Sequence, residues 1–87
     1  SKFDLVISDI NMPGGYTGFR LATTIKSTPD YAGTSVILIT VRSEKEDVMR
    51  GRKSGADDYI IKPIGPDLLR QKVSEVLEAA RKKDNGY

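Results

Sequence analysis

Residues 4–15 read DLVISDINMPGG, and the rest of the chain is organised around this stretch. Leu5, Val6 and Ile7 are apolar on consecutive positions, which suits a strand buried on both faces and not one that is half exposed. The run ends on Ser8 and Asp9 and is then broken at Met12, Pro13, Gly14 and Gly15. A carboxylate therefore stands at the tip of a buried strand, just before a loop that cannot continue it.

Two more strands follow, each preceded by a helix. Helical spacing of Phe19, Ala22 and Ile25 predicts a helix over 18–27, and Pro29 and Gly33 punctuate the loop after it. SVILIT, Ser35–Thr40, has four consecutive branched apolar residues and reads as a strand of a parallel sheet. Ser43 with Glu46 three residues later has capping-box spacing, so a second helix is expected from there to about Ser54, with Gly55 at a left-handed cap. Gly51 inside that helix costs about 1 kcal/mol relative to Ala. DYIIK, Asp58–Lys62, is the third strand, and Pro66 opens a third helix running to about Lys83. Leu69, Val73, Val76, Leu77 and Ala80 form its apolar stripe, and Arg81, Lys82 and Lys83 complement the negative end of its dipole. Strand–helix alternation predicts an α/β fold, a parallel sheet with right-handed crossovers and flanking helices.

Composition narrows the chemistry. The chain has 87 residues, enough for one small domain, and is 38% hydrophobic and 30% charged, a globular balance. It contains neither Cys nor His. Disulfides, thiolate metal sites and triads that depend on a histidine base are excluded. The net charge of +2 is too small to argue for nucleic acid. No apolar run approaches a membrane span and no signal peptide is visible, so a cytoplasmic domain is expected.

In open parallel sheets, ligands bind beyond the carboxyl ends of the strands. Asp9, Thr40 and Lys62 end the three strands. With strands about 4.8 Å apart, sequence-order pairing sets Asp9 beside Thr40 and leaves Lys62 about 10 Å away, within leaning reach of its long stem. A carboxylate, a hydroxyl and an ammonium would converge. The plainer account is that strand ends are usually polar. No GxGxxG or GxxxxGK[ST] occurs, which argues against a nucleotide site. A phosphatase with an aspartate nucleophile would want a second Asp where Asn11 stands.

Taken in order, DLVISDINMPGG, VILIT and GADDYIIKP resemble the receiver domain of two-component response regulators, over nearly the whole chain. The resemblance implies a flavodoxin-like sheet and a phosphoacceptor module of a phosphorelay. It makes Asp9 the carboxylate that takes a phosphoryl group from a histidine kinase or phosphotransfer protein. Asn11 becomes the residue whose backbone carbonyl joins Asp9 in binding Mg²⁺. Thr40 and Lys62 become the partners of the phosphoryl oxygens, and Tyr59 the aromatic switch that follows Thr40. The Lys62–Pro63 bond is expected to be cis. The module is not an enzyme beyond catalysing its own phosphorylation and dephosphorylation.

Two departures stand out. The glycine after Met-Pro comes one residue later, as Gly18, so the loop over 14–17 is longer. Family members also begin with two further βα units, the first carrying an acidic pair for Mg²⁺, whereas three residues precede Asp4 here. Residues 1–87 are therefore expected to be a partial receiver domain of three βα units, with Mg²⁺ binding weak or absent in this form. The Asp4–Asp9 strand becomes an edge able to pair with a second copy, so a homodimer is expected. The alternative is a degenerate receiver that serves only as a dimerisation module. Arg42, Lys45, Arg50, Arg52 and Lys53 read as a solvated face and not as a nucleic-acid contact. Tyr16 and Tyr31 read as surface or packing residues. Asp57 is expected to face solvent, available to an Arg or Lys of a neighbouring subunit.

Overall fold

The computed structural model describes residues 3–11, 14, 17–41 and 44–85. Met12, Pro13, Gly15, Tyr16, Arg42 and Ser43 lie outside them. The elements are β1 (Leu5–Asp9), α1 (Gly18–Ser27), a 3₁₀ turn (Pro29–Tyr31), β2 (Ser35–Thr40), α2 (Lys45–Lys53), β3 (Asp58–Ile61) and α3 (Pro66–Asn85). The strands are parallel, in the order β1-β2-β3. Ile7 pairs with Ile37 and Ile39 with Ile60.

The period of two along β2 divides the core between the faces of the sheet. Val36 and Leu38 join Ile10, Phe19 and Ala22, with Ile25, Ala56 and Tyr59 packed around them. Ile37 joins Ile60 and Val76, with Leu5, Ile39, Ile64, Leu69 and Val73 around these. The central strand is thus buried on both faces, as its apolar run requires. β1 stands at the edge of the sheet, as expected, and is less buried than its apolar run alone suggests: Leu5 and Val6 are only half-buried and Ile7 is 44% exposed. Its run is as apolar as that of β2, but β1 pairs with a strand on one side only.

Local chemistry sets the helix ends. The Thr17 hydroxyl caps α1 by accepting from the Arg20 N–H at 3.2 Å. α2 starts at Lys45 with Glu44 at the cap position; the capping box expected from Ser43 falls outside the described residues. Gly55 does take the left-handed conformation after α2, with φ of 92°. Pro66 opens α3, which continues to Asn85. Tyr31 is a packing residue, its ring stacked on Phe3 with centroids 5.9 Å apart.

Asp57 is exposed, as expected, but its partners are within the chain and not on a neighbouring subunit. Its carboxylate lies 2.9 Å from the Lys26 ammonium, and the same oxygen accepts the Val36 N–H at 2.8 Å. The Asp57 N–H in turn donates to the Val36 carbonyl at 2.8 Å, and Lys26 donates to the Thr34 carbonyl at 2.7 Å. This clamp joins the end of α1, the start of β2 and the turn into β3. It fastens the sheet at the edge opposite the strand tips.

Candidate functional site

Asp9 is the last residue of β1 and pairs with Ile39, so the residue beside it on β2 is Ile39 and not Thr40. Lys62 follows β3 directly, and its N–H donates to the Thr40 carbonyl at 2.7 Å, carrying the ladder one step past the strand. Alternation along the pleat sets Asp9 and Lys62 on the same side of the sheet as Leu5 and Ile60. The Lys62 stem crosses the end of β2, and its ammonium reaches Asp9 Oδ2 at 2.8 Å. The expected lean across two strand spacings is what the structure shows. Lys62 also lines a shallow depression with Ile39, Val41, Pro63 and Ile64, and the Lys62–Pro63 peptide bond is cis.

The other oxygen of Asp9 has its own partner. The Asn11 N–H donates to Oδ1 at 3.1 Å, and Asn11 and Thr17 form an antiparallel bridge that closes the loop between β1 and α1. Gly18 then fixes how closely α1 begins against the strand tip. Its N–H donates to the Ile10 carbonyl at 2.9 Å, and a Cβ there would stand 2.7 Å from the Asp9 carbonyl oxygen. Only glycine permits that approach. From the sequence Gly18 is legible only as a displaced loop glycine; its close approach to Asp9 is a tertiary fact.

Thr40 and Tyr59 belong to the opposite face. Thr40 is fully buried, on the alternation of Val36 and Leu38. Tyr59 pairs with Leu38, is half-buried, and packs against the cluster under α1 and α2. The structure thus brings Asp9, Lys62 and the Asn11 N–H into direct contact and sets Thr40 and Tyr59 behind them, across the sheet. Among the described residues no group of three or more Asp or Glu is placed to hold a metal ion. The available donors at the site are the Asp9 carboxylate and the Asn11 backbone. The basic cluster of α2 is partly structural, since the Arg50 guanidinium lies 4.6 Å over the Phe19 ring.

The Lys62 hydrogen bond, then the Asn11 N–H and the Lys62 charge, hold the Asp9 carboxyl below the usual carboxylate range. The site therefore presents an anionic oxygen nucleophile at neutral pH. Both side chains are 41% exposed, so the pair should add less than about 1 kcal/mol to stability. Because the folded pKa is depressed, that contribution is present above the ordinary Asp value of about 3.9 and is lost as pH falls through the lower folded value. Lys62→Ala should raise the Asp9 pKa toward the ordinary value while leaving the unfolding midpoint nearly unchanged. Carboxyl-carbon NMR titration of Asp9 in the two proteins checks this; an unmoved pKa would contradict it.

Known proteins resemble this chain in sequence and in fold. The family model described as the response regulator receiver domain matches residues 1–74. The chain is 41% identical over 83 residues to the virulence sensor protein BvgS of Bordetella pertussis, covering 90% of this chain and 7% of that protein. It is 36% identical over 85 residues to the transcriptional regulatory protein RprY of Bacteroides fragilis, covering 98% of this chain and 35% of that one. The structure superposes on the BeF₃-activated receiver domain of DrrB, a Thermotoga maritima protein, with a TM-score of 0.77 and 39% identity. That match covers 87% of this chain and 62% of the solved one. The chain thus spans a small part of these curated relatives and under two thirds of the solved domain. With the sheet, the strand-tip carboxylate and the crossing lysine all in place, the chain belongs to the response regulator receiver domain family.

Proposed function

We propose that Asp9 is the phosphoacceptor of this receiver domain. The observation that carries the reading is the Lys62 ammonium held 2.8 Å from an exposed Asp9 carboxylate at the strand tips. One Asp9 oxygen attacks the phosphorus of a phosphohistidine on a histidine kinase or phosphotransfer protein. The new P–O bond forms as the P–N bond breaks, and the departing imidazole nitrogen keeps the electron pair. Hydrolysis later returns phosphate and the free carboxylate. Such transfers need positioning and charge stabilisation more than covalent help, and Lys62 supplies a point charge to the phosphoryl oxygens. The Asp9 carboxylate and the Asn11 backbone carbonyl are the groups that would hold Mg²⁺, which would supply further neutralisation of charge. Thr40 and Tyr59 form the switch behind the acceptor. A signalling module of this kind is not a classical enzyme, and catalysis of its own phosphorylation and dephosphorylation is part of the proposal.

The proposal treats residues 1–87 as one partial receiver unit, in keeping with the 62% of the solved domain that they span. It includes a cytoplasmic location, consistent with the described helices, none of which is long and apolar enough to cross a membrane. Direct nucleic-acid binding is not part of it. Incubation with acetyl phosphate and Mg²⁺ followed by mass spectrometry should show one covalent phosphoryl adduct. Asp9→Asn should abolish that adduct, whereas Thr40→Ala should keep it. An undiminished adduct in Asp9→Asn would overturn the assignment.

The same reading includes a two-fold dimer through the edge of β1. Leu5, Val6 and Ile7 supply an apolar edge, a template for pairing. The chain exposes 5982 Å², against about 5,100 Å² for a compact monomer of 9.6 kDa. The excess of about 900 Å² is close to one partner's share of a standard interface, about 800 Å². Sedimentation velocity should give a dimer that Ile7→Lys converts to a folded monomer. A monomer at every concentration in the natural chain would remove the dimer and leave the phosphoacceptor reading standing.

A further inference from the structure

Gly51 lies inside α2, where glycine is less favourable than alanine. Its backbone gives no reason for it, because the positive-φ glycines are Gly14 and Gly55. The reason is the ring of Tyr59. A Cβ on residue 51 would stand 2.7 Å from Tyr59 Cδ2, 3.2 Å from Cε2 and 3.7 Å from Cγ. Carbon atoms attract at about 3.5–4.0 Å, so the edge of the ring occupies the place a methyl group would take. Gly51 is buried beneath it, and its carbonyl accepts the Ser54 hydroxyl at 2.6 Å, which anchors the end of the helix under the ring. A cleft of about 210 Å³, lined by Val48, Gly51, Arg52, Ala56 and Tyr59 itself, lies alongside the ring.

We propose that Gly51 is a positioning residue for Tyr59. Its missing side chain forms the seat in which the ring lies. Residue 51 therefore weights the seated ring against its other positions, and so sets how Tyr59 answers a phosphoryl group on Asp9. The last clause rests on the phosphoacceptor reading; the seat itself does not. The coupling is steric and local. Tyr59 pairs with Leu38, two residues before Thr40 on the same face of the sheet, so a ring displaced from α2 is displaced within reach of the same packed layer.

A thermal double-mutant cycle tests the seat. Gly51→Ala should raise the unfolding midpoint in a Tyr59→Ala background, where only helix propensity acts. It should lower the midpoint, or fail to raise it, where the tyrosine is present. In the natural background it should also shift the Tyr59 ring resonances in NMR without any ligand. Equal midpoint shifts in both backgrounds, or an unmoved ring, would overturn the seat. Titration with Mg²⁺ and beryllofluoride then tests the regulatory clause. The Asn11 amide should respond alike in the natural chain and in Gly51→Ala, while the Tyr59 ring responds differently in the two. Identical ring responses with a responding Asn11 would overturn the clause. A silent Asn11 amide in the natural chain would instead overturn the phosphoacceptor reading, and the midpoints would still decide the seat.

Discussion

The reach of Lys62 across the end of β2 is the constraint on which the site depends. The ammonium is 2.8 Å from Asp9 Oδ2, yet the two residues come from strands that never touch. Their meeting requires β1, β2 and β3 in sequence order and in parallel, ending at nearly the same height. The register supplies this: Asp9 pairs with Ile39, and the Lys62 N–H bonds the next residue on β2, Thr40. A shift of either strand by one residue would turn a side chain to the other face and break the pair.

Several distant features serve that register. At the tip edge, Gly18 lets α1 begin hard against the Asp9 carbonyl, and Thr17 both caps the helix and closes the loop onto Asn11. At the far edge, the Lys26–Asp57 pair and the Val36 bonds hold the start of β2 to the turn before β3. Between them the two faces of the sheet are filled by separate apolar clusters that share β2 as their common wall. Asp9 and Lys62 lie on one side of that wall, and Thr40 and Tyr59 lie on the other.

Much of this was legible in the residues. Consecutive apolar positions in β2, helical spacing in α1 and the prolines at strand and helix ends are local signals, and the elements they predict form. Lys62 was legible because strand spacing and side-chain length are fixed quantities. What escaped reading depended on partners far away in sequence. Asp57 read as a surface charge and is exposed, but nothing local shows that Lys26 will arrive beside it. Gly51 read as a weak point in a helix, and Gly18 as a displaced loop glycine. Each is explained only by an atom from another element occupying the space of its absent side chain. The apolar run of β1 suggested burial on both faces, but that burial depends on what lies beside the strand.

The most direct measurement of the central claim is a crystal structure of the chain with Mg²⁺ and beryllofluoride. The account predicts the beryllium on an Asp9 oxygen and the Lys62 ammonium moved from Asp9 Oδ2 onto a fluorine, with the sheet register unchanged. A fluoride complex on another carboxylate, or a Lys62 still paired to a free Asp9, would contradict it.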